Sequence, residues 1–212
     1  MKIIFLVLFI VSTAIHLYAS LESNKKLRNI TKPFILPTLL GYYCMATNMP
    51  EITTILALIF SFLGDVLLIP NGVKWFTAGG ISFMASHAFF IASYAKNLDY
   101  SKTGIVIAIS AVFVIAVITI FSKLKEHLPK PLFYPMLLYL LINGAMNCFA
   151  IFRLLSNPCP GSILTCIGAV LFFISDTALF FVRFNKNGKL KTHFWVMFTY
   201  SIGEFLIVYG LI

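Results

Sequence analysis

The sequence has few charged residues and lacks the signatures of common soluble enzymes. Charged side chains make up 11% of the 212 residues, and 7 residues are Asp or Glu. No Gly-x-Ser-x-Gly motif, no His-Glu-x-x-His motif and no phosphate-binding glycine loop is present. These absences exclude nucleophile-elbow hydrolases, zincin proteases and P-loop nucleotide-binding proteins.

Cysteine is also scarce and is not arranged for metal binding. Cys44, Cys148, Cys159 and Cys166 include no close pair with the spacing of metal ligands. Free cysteine behaves as a small apolar residue in protein interiors. We therefore expect the four cysteines to be packing residues, and we predict neither a metal site nor a cofactor.

Apolar residues dominate the composition of the chain. The chain is 60% hydrophobic with a mean hydropathy of +0.95, far above the values of a soluble globular domain. The formal net charge of +9 does not indicate a nucleic-acid partner, because the basic residues lie mostly in short segments between apolar runs. We predict a single polytopic domain over residues 1–212, embedded in a lipid bilayer.

The chain contains eight apolar runs, most of them close to the roughly 20 residues that cross a bilayer, and the second is the weakest because it is short and carries Pro33 and Pro37. The runs cover about 3–19, 33–49, 53–70, 75–95, 103–122, 131–153, 161–183 and 193–212. Short links between the runs favour antiparallel neighbours in a compact bundle. The predicted fold class is thus an all-α integral membrane protein with eight transmembrane helices.

The first run also resembles a secretory signal peptide, because Lys2 precedes an apolar centre. A basic flank follows it at Lys25, Lys26, Arg28 and Lys32, which is typical of a segment that stops in the membrane. We expect a retained first helix.

Basic residues are distributed unequally between the two sides of the predicted bundle. Twelve fall on one side: Lys25, Lys26, Arg28, Lys32, Lys74, Lys123, Lys125, Lys130, Arg183, Lys186, Lys189 and Lys191. Four fall on the other: Lys2, Lys96, Lys102 and Arg153. The positive-inside rule then places both termini on the non-cytoplasmic side. We expect a multi-pass protein of the bacterial inner membrane, or of the endoplasmic reticulum membrane in a eukaryote.

A faint internal repeat divides the chain. Lys32-Pro33 and Lys130-Pro131 each open an apolar run, and the next run in each case holds an Asp after Gly or Ser. Proline is well tolerated in the first turn of a helix. The pattern indicates two parallel four-helix halves, which often enclose a site, or a chance match.

Asp65 and Asp176 lie inside apolar runs, where an unpaired charge costs several kcal/mol. At about 1.5 Å rise per residue they lie ~18 and ~22 Å below the outer surface, in the inner half of the membrane. One possibility is that each only hydrogen-bonds a neighbouring helix. The alternative is a carboxyl pair in which one group holds a proton and the other is ionised, so that the pair acts as acid and base.

Other polar residues recur at helical spacing within the apolar runs. Tyr139, Asn143 and Asn147 form one stripe, and Tyr200 precedes Glu204 by one turn. Each residue alone is typical of helix packing, but together they predict a polar cavity that opens inward. A metal site built from Asp65, His87, Asp176 and Glu204 is a chemical alternative.

Several of these motifs resemble the YhhN-like lysoplasmalogenase family of eight-helix membrane proteins. They are Lys32-Pro33, Gly64-Asp65-Val66-Leu67-Leu68, Ser86-His87 with Phe89 and Phe90, Tyr139, and Gly168-Ala169-Val170-Leu171-Phe172 running into Ser175-Asp176. The similarity covers nearly the whole chain. It implies hydrolysis of the vinyl ether bond of lysoplasmalogens to a fatty aldehyde and a glycerophospho-ethanolamine or glycerophospho-choline.

The resemblance implies that Asp65 and Asp176 are the catalytic pair, with Lys32, His87 and Tyr139 lining the site. We add Asn143, Tyr200 and Glu204 to the expected substrate-binding residues, although an amide is more usual in the family where Glu204 stands. The expected partner is a lysophospholipid, whose phosphate Lys32 meets at the inner rim unless it serves as a positive-inside anchor.

Vinyl ether cleavage needs only a proton donor, an anion beside the cationic intermediate and a base for water, which two carboxyl groups supply. The rival interpretations are a transporter or channel that uses Asp65 and Asp176 as proton or ion relays, and a metal-dependent lipid hydrolase of the same architecture.

Overall fold

The computed structural model describes residues 1–184 and 193–212, and within these ranges the chain is helical with no β-strand. The eight helices are α1 (Lys2–Leu21), α2 (Lys25–Ala46), α3 (Ile52–Leu67), α4 (Val73–Tyr94), α5 (Thr103–Leu124), α6 (Phe133–Ser156), α7 (Pro160–Phe184) and α8 (His193–Gly210). Short 3₁₀ turns precede α5 at Tyr100–Lys102 and α6 at Lys125–His127 and Lys130–Leu132. The predicted all-α class is confirmed.

Five helical segments in the described ranges are long and apolar enough to cross a membrane. They are Lys2–Leu21, Val73–Tyr94, Tyr100–His127, Lys130–Ser156 and Pro160–Phe184, and α3 is a shorter apolar helix. A chain with several such segments is a multi-pass membrane protein. The count of eight spans stays a prediction.

The surface of α5 supports this environment. Ile107, Val112, Ile115 and Ile118 are all more than 60% exposed on the outside of the bundle. A soluble protein rarely leaves such a patch open to water, whereas lipid chains solvate it at no cost. The apolar outer face of α5 is therefore a surface for lipid.

Contacts between connecting segments show which helix ends lie together. Lys96 Nζ lies 2.9 Å from Glu51 Oε1, and Asn157 Nδ2 donates to the carbonyl of Asn97 at 2.9 Å. Arg153 donates to the carbonyl of Gly210 at 3.3 Å, which brings the carboxyl end of α8 to the same end. The start of α1 lies there too, because the Phe5 ring lies against Gly41 late in α2. Both termini thus share one end, and which side of a membrane it faces stays a prediction.

Most of the residues predicted to face the cytoplasm lie toward the opposite end. They are Lys25, Lys26, Arg28 and Lys32 in α2, Lys74 in α4, Lys123 in α5, Lys125 and Lys130 in the 3₁₀ turns, and Arg183 in α7. Lys186, Lys189 and Lys191 lie outside the described residues. The charge asymmetry is therefore a property of the folded bundle as well as of the sequence.

The start of α2 differs from the sequence prediction. A link of only Glu22–Asn24 follows α1, and the Asn24 side chain caps α2 by accepting from the amide of Leu27 at 3.1 Å. Pro33 consequently lies in the interior of α2, so the expectation that it opens the helix is wrong. Proline there frees the carbonyl of Asn29, an exposed residue that water can reach.

Its counterpart Pro131 lies in the 3₁₀ turn Lys130–Leu132 immediately before α6. The two Lys-Pro elements therefore differ locally. The larger repeat is still matched by the packing, because α3 packs on α2 and α4 as α7 packs on α6 and α8. In addition, α2 contacts α8 and α6 contacts α4, which is the reciprocal arrangement that two halves would produce. The duplication itself stays a prediction.

Helices α7 and α8 approach each other most closely at glycines. A methyl group added at Gly168 would lie 2.6 Å from the carbonyl oxygen of Gly203 and 2.8 Å from the amide nitrogen of Ile207. Small residues allow such backbone contact between membrane helices. This contact sets the position of α8 beside the centre of the bundle.

Candidate active site

A cavity of about 270 Å³ is lined by residues of α1, α2, α3, α4, α7 and α8. Asp65 and Asp176 both line it, and they are 3% and 5% exposed. Lys25, Asn71 and His193, at the helix ends, line its mouth. Two carboxyl groups that are 111 residues apart in the chain therefore share one pocket, whose lining extends to this end of the bundle.

Asp65 lies in the last turn of α3 and is held from two other helices. Lys32 Nζ of α2 lies 3.1 Å from Asp65 Oδ1, and the Tyr200 hydroxyl of α8 donates to Asp65 Oδ2 at 2.9 Å. Both carboxylate oxygens thus have a partner. One partner is a cation, so the ionised form of Asp65 is compensated inside the bundle.

Asp176 has neutral donors. The Tyr139 hydroxyl donates to Asp176 Oδ2 at 2.6 Å, and Asn143 Nδ2 donates to the same oxygen at 2.7 Å. Tyr139 and Asn143 are one turn apart on α6, as the predicted polar stripe requires. Asn147, the third member of the stripe, donates to the carbonyl of Asn143 at 3.0 Å.

His87 approaches Asp176 from α4, with its Nε2 atom 3.6 Å from Asp176 Oδ2. Its Nδ1 atom lies 2.5 Å from the carbonyl oxygen of Phe83, which needs a donor, so Nδ1 carries hydrogen. The opposite nitrogen, Nε2, is left to face the carboxyl group of Asp176.

Glu204 is fully buried one turn beyond Tyr200 on α8. Within the described ranges neither of its carboxyl oxygens has a hydrogen-bonding partner. The Ser61 hydroxyl lies beside Glu204 and is also 2.7 Å from the hydroxyl of Ser86, and either hydroxyl of that pair can be the donor. Glu204 is thus buried outside the lining of the cavity, next to these two hydroxyl groups.

The structure divides the predicted site residues into two groups. Lys32 and Tyr200 line the cavity together with the two aspartates. His87, Tyr139 and Asn143 do not line it, and they contact Asp176 from behind. These three contact or approach the carboxyl group of Asp176, and Tyr139 also lines a smaller neighbouring cavity, so their part in binding a substrate stays a prediction.

Several residues that line the cavity are not among the predicted site residues. His16, Arg28, Arg183 and His193 border the cavity toward its mouth. His16 is buried, and its Nδ1 atom lies 3.0 Å from the hydroxyl of Thr31. Arg28 and Lys32 are four residues apart, so both lie on one face of a helix that begins at Lys25, and this spacing is the signal in the sequence that points to Arg28.

The described part of the chain contains no group of three or more His, Cys, Asp or Glu side chains arranged to hold a metal ion. Asp65, His87, Asp176 and Glu204 do not form such a group there, so the metal-dependent alternative lacks its ligand set. All four cysteines are free thiols.

Comparison with known proteins gives one positive result. No curated protein and no solved structure matches the chain. The family model of the YhhN family matches residues 27–211, which include Lys32, both aspartates and every residue that holds them. The chain belongs to the YhhN family.

Proposed function

We propose that the protein is a lysoplasmalogenase, a membrane-embedded hydrolase of the vinyl ether bond of lysoplasmalogens. The products are a fatty aldehyde and glycerophospho-ethanolamine or glycerophospho-choline. The observation that carries the proposal is the cavity shared by Asp65 and Asp176, two buried carboxyl groups with different partners. Membership of the YhhN family supports it.

The different partners suggest different roles for the two aspartates. Asp65 lies beside the ammonium group of Lys32, so we assign it the ionised state and the role of base. Asp176 is bonded by the neutral donors Tyr139 and Asn143 through a single oxygen, Oδ2. Its other oxygen, Oδ1, accepts neither of these bonds and can carry a proton, so we assign Asp176 the role of acid.

In the first step Asp176 transfers its proton to the vinyl carbon β to the ether oxygen. The electrons of the double bond form the new C–H bond, and an oxocarbenium ion results. Asp65 stabilises this cation as a preorganised anion. Asp176 is then ionised, with Tyr139 and Asn143 donating to its new charge.

In the second step a water molecule attacks the oxocarbenium carbon and gives up a proton to Asp65. The resulting hemiacetal collapses as its O–H proton passes to Asp176 and Asp65 gives its proton to the departing glycerol oxygen, which yields the aldehyde and the glycerol hydroxyl. The sum is the hydrolysis of the vinyl ether bond by one water, with both aspartates returned to their starting states. Two carboxyl groups support glycoside hydrolysis through a similar cation.

The cavity wall also suits the rest of the substrate. Phe76, Phe83, Leu179 and Met197 line it beside the aspartates, and such side chains favour a hydrocarbon chain. The substrate reaches the cavity from the end of the bundle that carries the basic residues. In the proposed topology this end faces the cytoplasm, so a lysophospholipid enters from the cytoplasmic leaflet. The chain then crosses the membrane eight times, with both termini on the other side.

The test is aldehyde release by purified protein in detergent or liposomes. We expect turnover of 1-alkenyl lysophospholipid and none of the 1-alkyl analogue, which cannot form the oxocarbenium ion by protonation. Activity should survive a chelator, because the proposed steps use the two carboxyl groups alone and the described residues contain no cluster of three or more His, Cys, Asp or Glu side chains that could hold a metal ion. Proton or solute flux in liposomes without aldehyde release would contradict the proposal and favour a transporter.

A further inference from the structure

The mouth of the cavity has an unbalanced positive charge. Lys25, Arg28 and Arg183 line it, and the acidic residues among the lining are Asp65 and Asp176, at the inner part of the pocket. Asp65 is already paired with Lys32. The mouth therefore presents cations without facing carboxylates, which favours an anionic ligand.

Arg28 has the most informative environment of these residues. Its side chain is half-buried, and its Nε atom is enclosed without a hydrogen-bonding partner in the ranges that the structure describes. The ion pairs there involve Lys32, His87 and Lys96, so the Arg28 guanidinium has no carboxylate partner. A buried unpaired donor is costly, and a ligand oxygen would remove the cost.

The chemistry of the guanidinium group indicates which class of anion it would bind. A guanidinium presents parallel N–H donors that match two oxygens of a phosphate, and it stays charged at any physiological pH. Arg183 stands near the same opening with its guanidinium 5.9 Å from the centre of the Phe76 ring. Asn71 adds an amide to the lining.

The helical register sets the distance to the reaction centre. Arg28 and Lys32 are four residues apart on α2, so Arg28 lies about 6 Å farther along the helix, toward the mouth. Lys32 contacts Asp65. In a lysophospholipid, a glycerol unit of similar reach separates the ether oxygen from the phosphate. A phosphate bound at Arg28 would therefore place the ether bond of the same lipid beside the two aspartates.

We infer that Arg28 forms a phosphate subsite at the cavity mouth, which binds the phosphodiester of a lysophospholipid headgroup. The inference rests on the proposed function for the position of the ether bond. It moves the phosphate role from Lys32, which is paired with Asp65, to Arg28, one turn away, which has no carboxylate partner in the described ranges.

The kinetic test compares two substrates, 1-alkenyl lysophospholipid and 1-alkenylglycerol, which lacks the phosphate. Arg28→Gln should raise KM for the phospholipid about tenfold or more and leave KM for the alkenylglycerol unchanged, with kcat retained for both. Lys26→Gln is the matched control, because Lys26 is exposed on the same helix and does not line the cavity. An equal loss on both substrates, or no loss on either, would overturn the subsite.

A binding test separates this inference from the proposed function. We expect the non-hydrolysable 1-alkyl lysophospholipid to bind wild type and Lys26→Gln at least tenfold more tightly than Arg28→Gln. If that difference appears and wild type releases no aldehyde, the subsite stands and the proposed function fails. If wild type releases aldehyde and all three proteins bind the alkyl lipid equally, the proposed function stands and the subsite fails.

Inorganic phosphate distinguishes a lipid headgroup from a free ion. It should displace the alkyl lipid from wild type only weakly, because the hydrocarbon chain supplies much of the binding energy. Binding of inorganic phosphate as tightly as the lipid would overturn the headgroup assignment. Arg28→Lys should recover part of the lipid affinity, which a merely misfolded variant would not do.

Discussion

Tyr200 and Asp65 are 135 residues apart in the sequence and form a hydrogen bond of 2.9 Å inside the bundle. The bond joins the last helix, α8, to the acidic residue of α3. His87 of α4 lies near Asp176 of α7, with its Nε2 atom 3.6 Å from Asp176 Oδ2 and no hydrogen bond between them. Each carboxyl group is thus approached by a helix from the other half of the chain, so the site depends on the packing of both halves.

Tyr200→Phe removes the hydroxyl that holds Asp65 and keeps the ring that packs against Phe83 and Phe172. We expect aldehyde release to fall about tenfold, because a hydrogen bond to a charged group contributes roughly 1.5–3 kcal/mol. Tyr134→Phe is the control, since Tyr134 is 77% exposed. Equal activity of the two variants would show that this bond does not matter for turnover.

Lys32→Met should destabilise the protein by about 3 kcal/mol, because it leaves the Asp65 carboxylate buried without its cation. The two side chains are 16% and 4% exposed, so solvent screens the pair weakly. Unfolding in detergent measures the loss, with Lys26→Met as the exposed control.

The double variant Lys32→Met with Asp65→Asn should regain most of this stability, because no buried charge remains and the amide oxygen still accepts from Tyr200. It should have no activity. A double variant as unstable as Lys32→Met alone would contradict the assignment of a compensated ion pair.

Gly168→Ala should lower stability by about 1–3 kcal/mol through overpacking, because the new methyl group would meet the backbone of α8. Activity should fall as well, since α8 carries Tyr200. Gly104→Ala is the matched control, with no atom within 4 Å of the added methyl group. Its stability should be unchanged or slightly raised, because alanine favours a helix. Equal free energies of unfolding for the two variants would show that α7 and α8 can move apart to accommodate the methyl group without cost.

Glu204→Gln should keep activity within a few-fold and should not destabilise the protein. The carboxyl group has no partner in the described residues, and a neutral amide of the same shape is no harder to bury. Glu204→Ala serves as the contrast, because it leaves a cavity in the core. A loss of about 10² in rate for Glu204→Gln would identify the carboxyl group as a required proton carrier.

Some parts of this arrangement could be predicted from the sequence. The cost of a carboxylate in a bilayer singles out Asp65 and Asp176, and the structure places both in one cavity. The stripe of Tyr139 and Asn143 follows from helical periodicity, and both side chains reach the same oxygen of Asp176. Periodicity is a local property, so it survives folding.

Other parts could not be predicted. The polar first turns of α2 are invisible to hydropathy, so the sequence places Arg28 in a basic flank and not on the face of a helix that lines the site. The pairing of Lys32 with Asp65, and the burial of Glu204 behind the cavity, depend on how whole helices rotate and cross. Those angles arise from packing among distant segments, which one-dimensional patterns do not encode.

The most direct test of the proposed mechanism is aldehyde release from lysoplasmalogen by Asp65→Asn and Asp176→Asn, measured beside wild type. Each amide keeps the shape of the side chain and removes its acid–base chemistry, so each variant should lose about 10² or more in rate. Each variant should still be folded, with an unfolding transition like that of wild type. Full activity in either variant would contradict the claim that the two aspartates are the acid and the base.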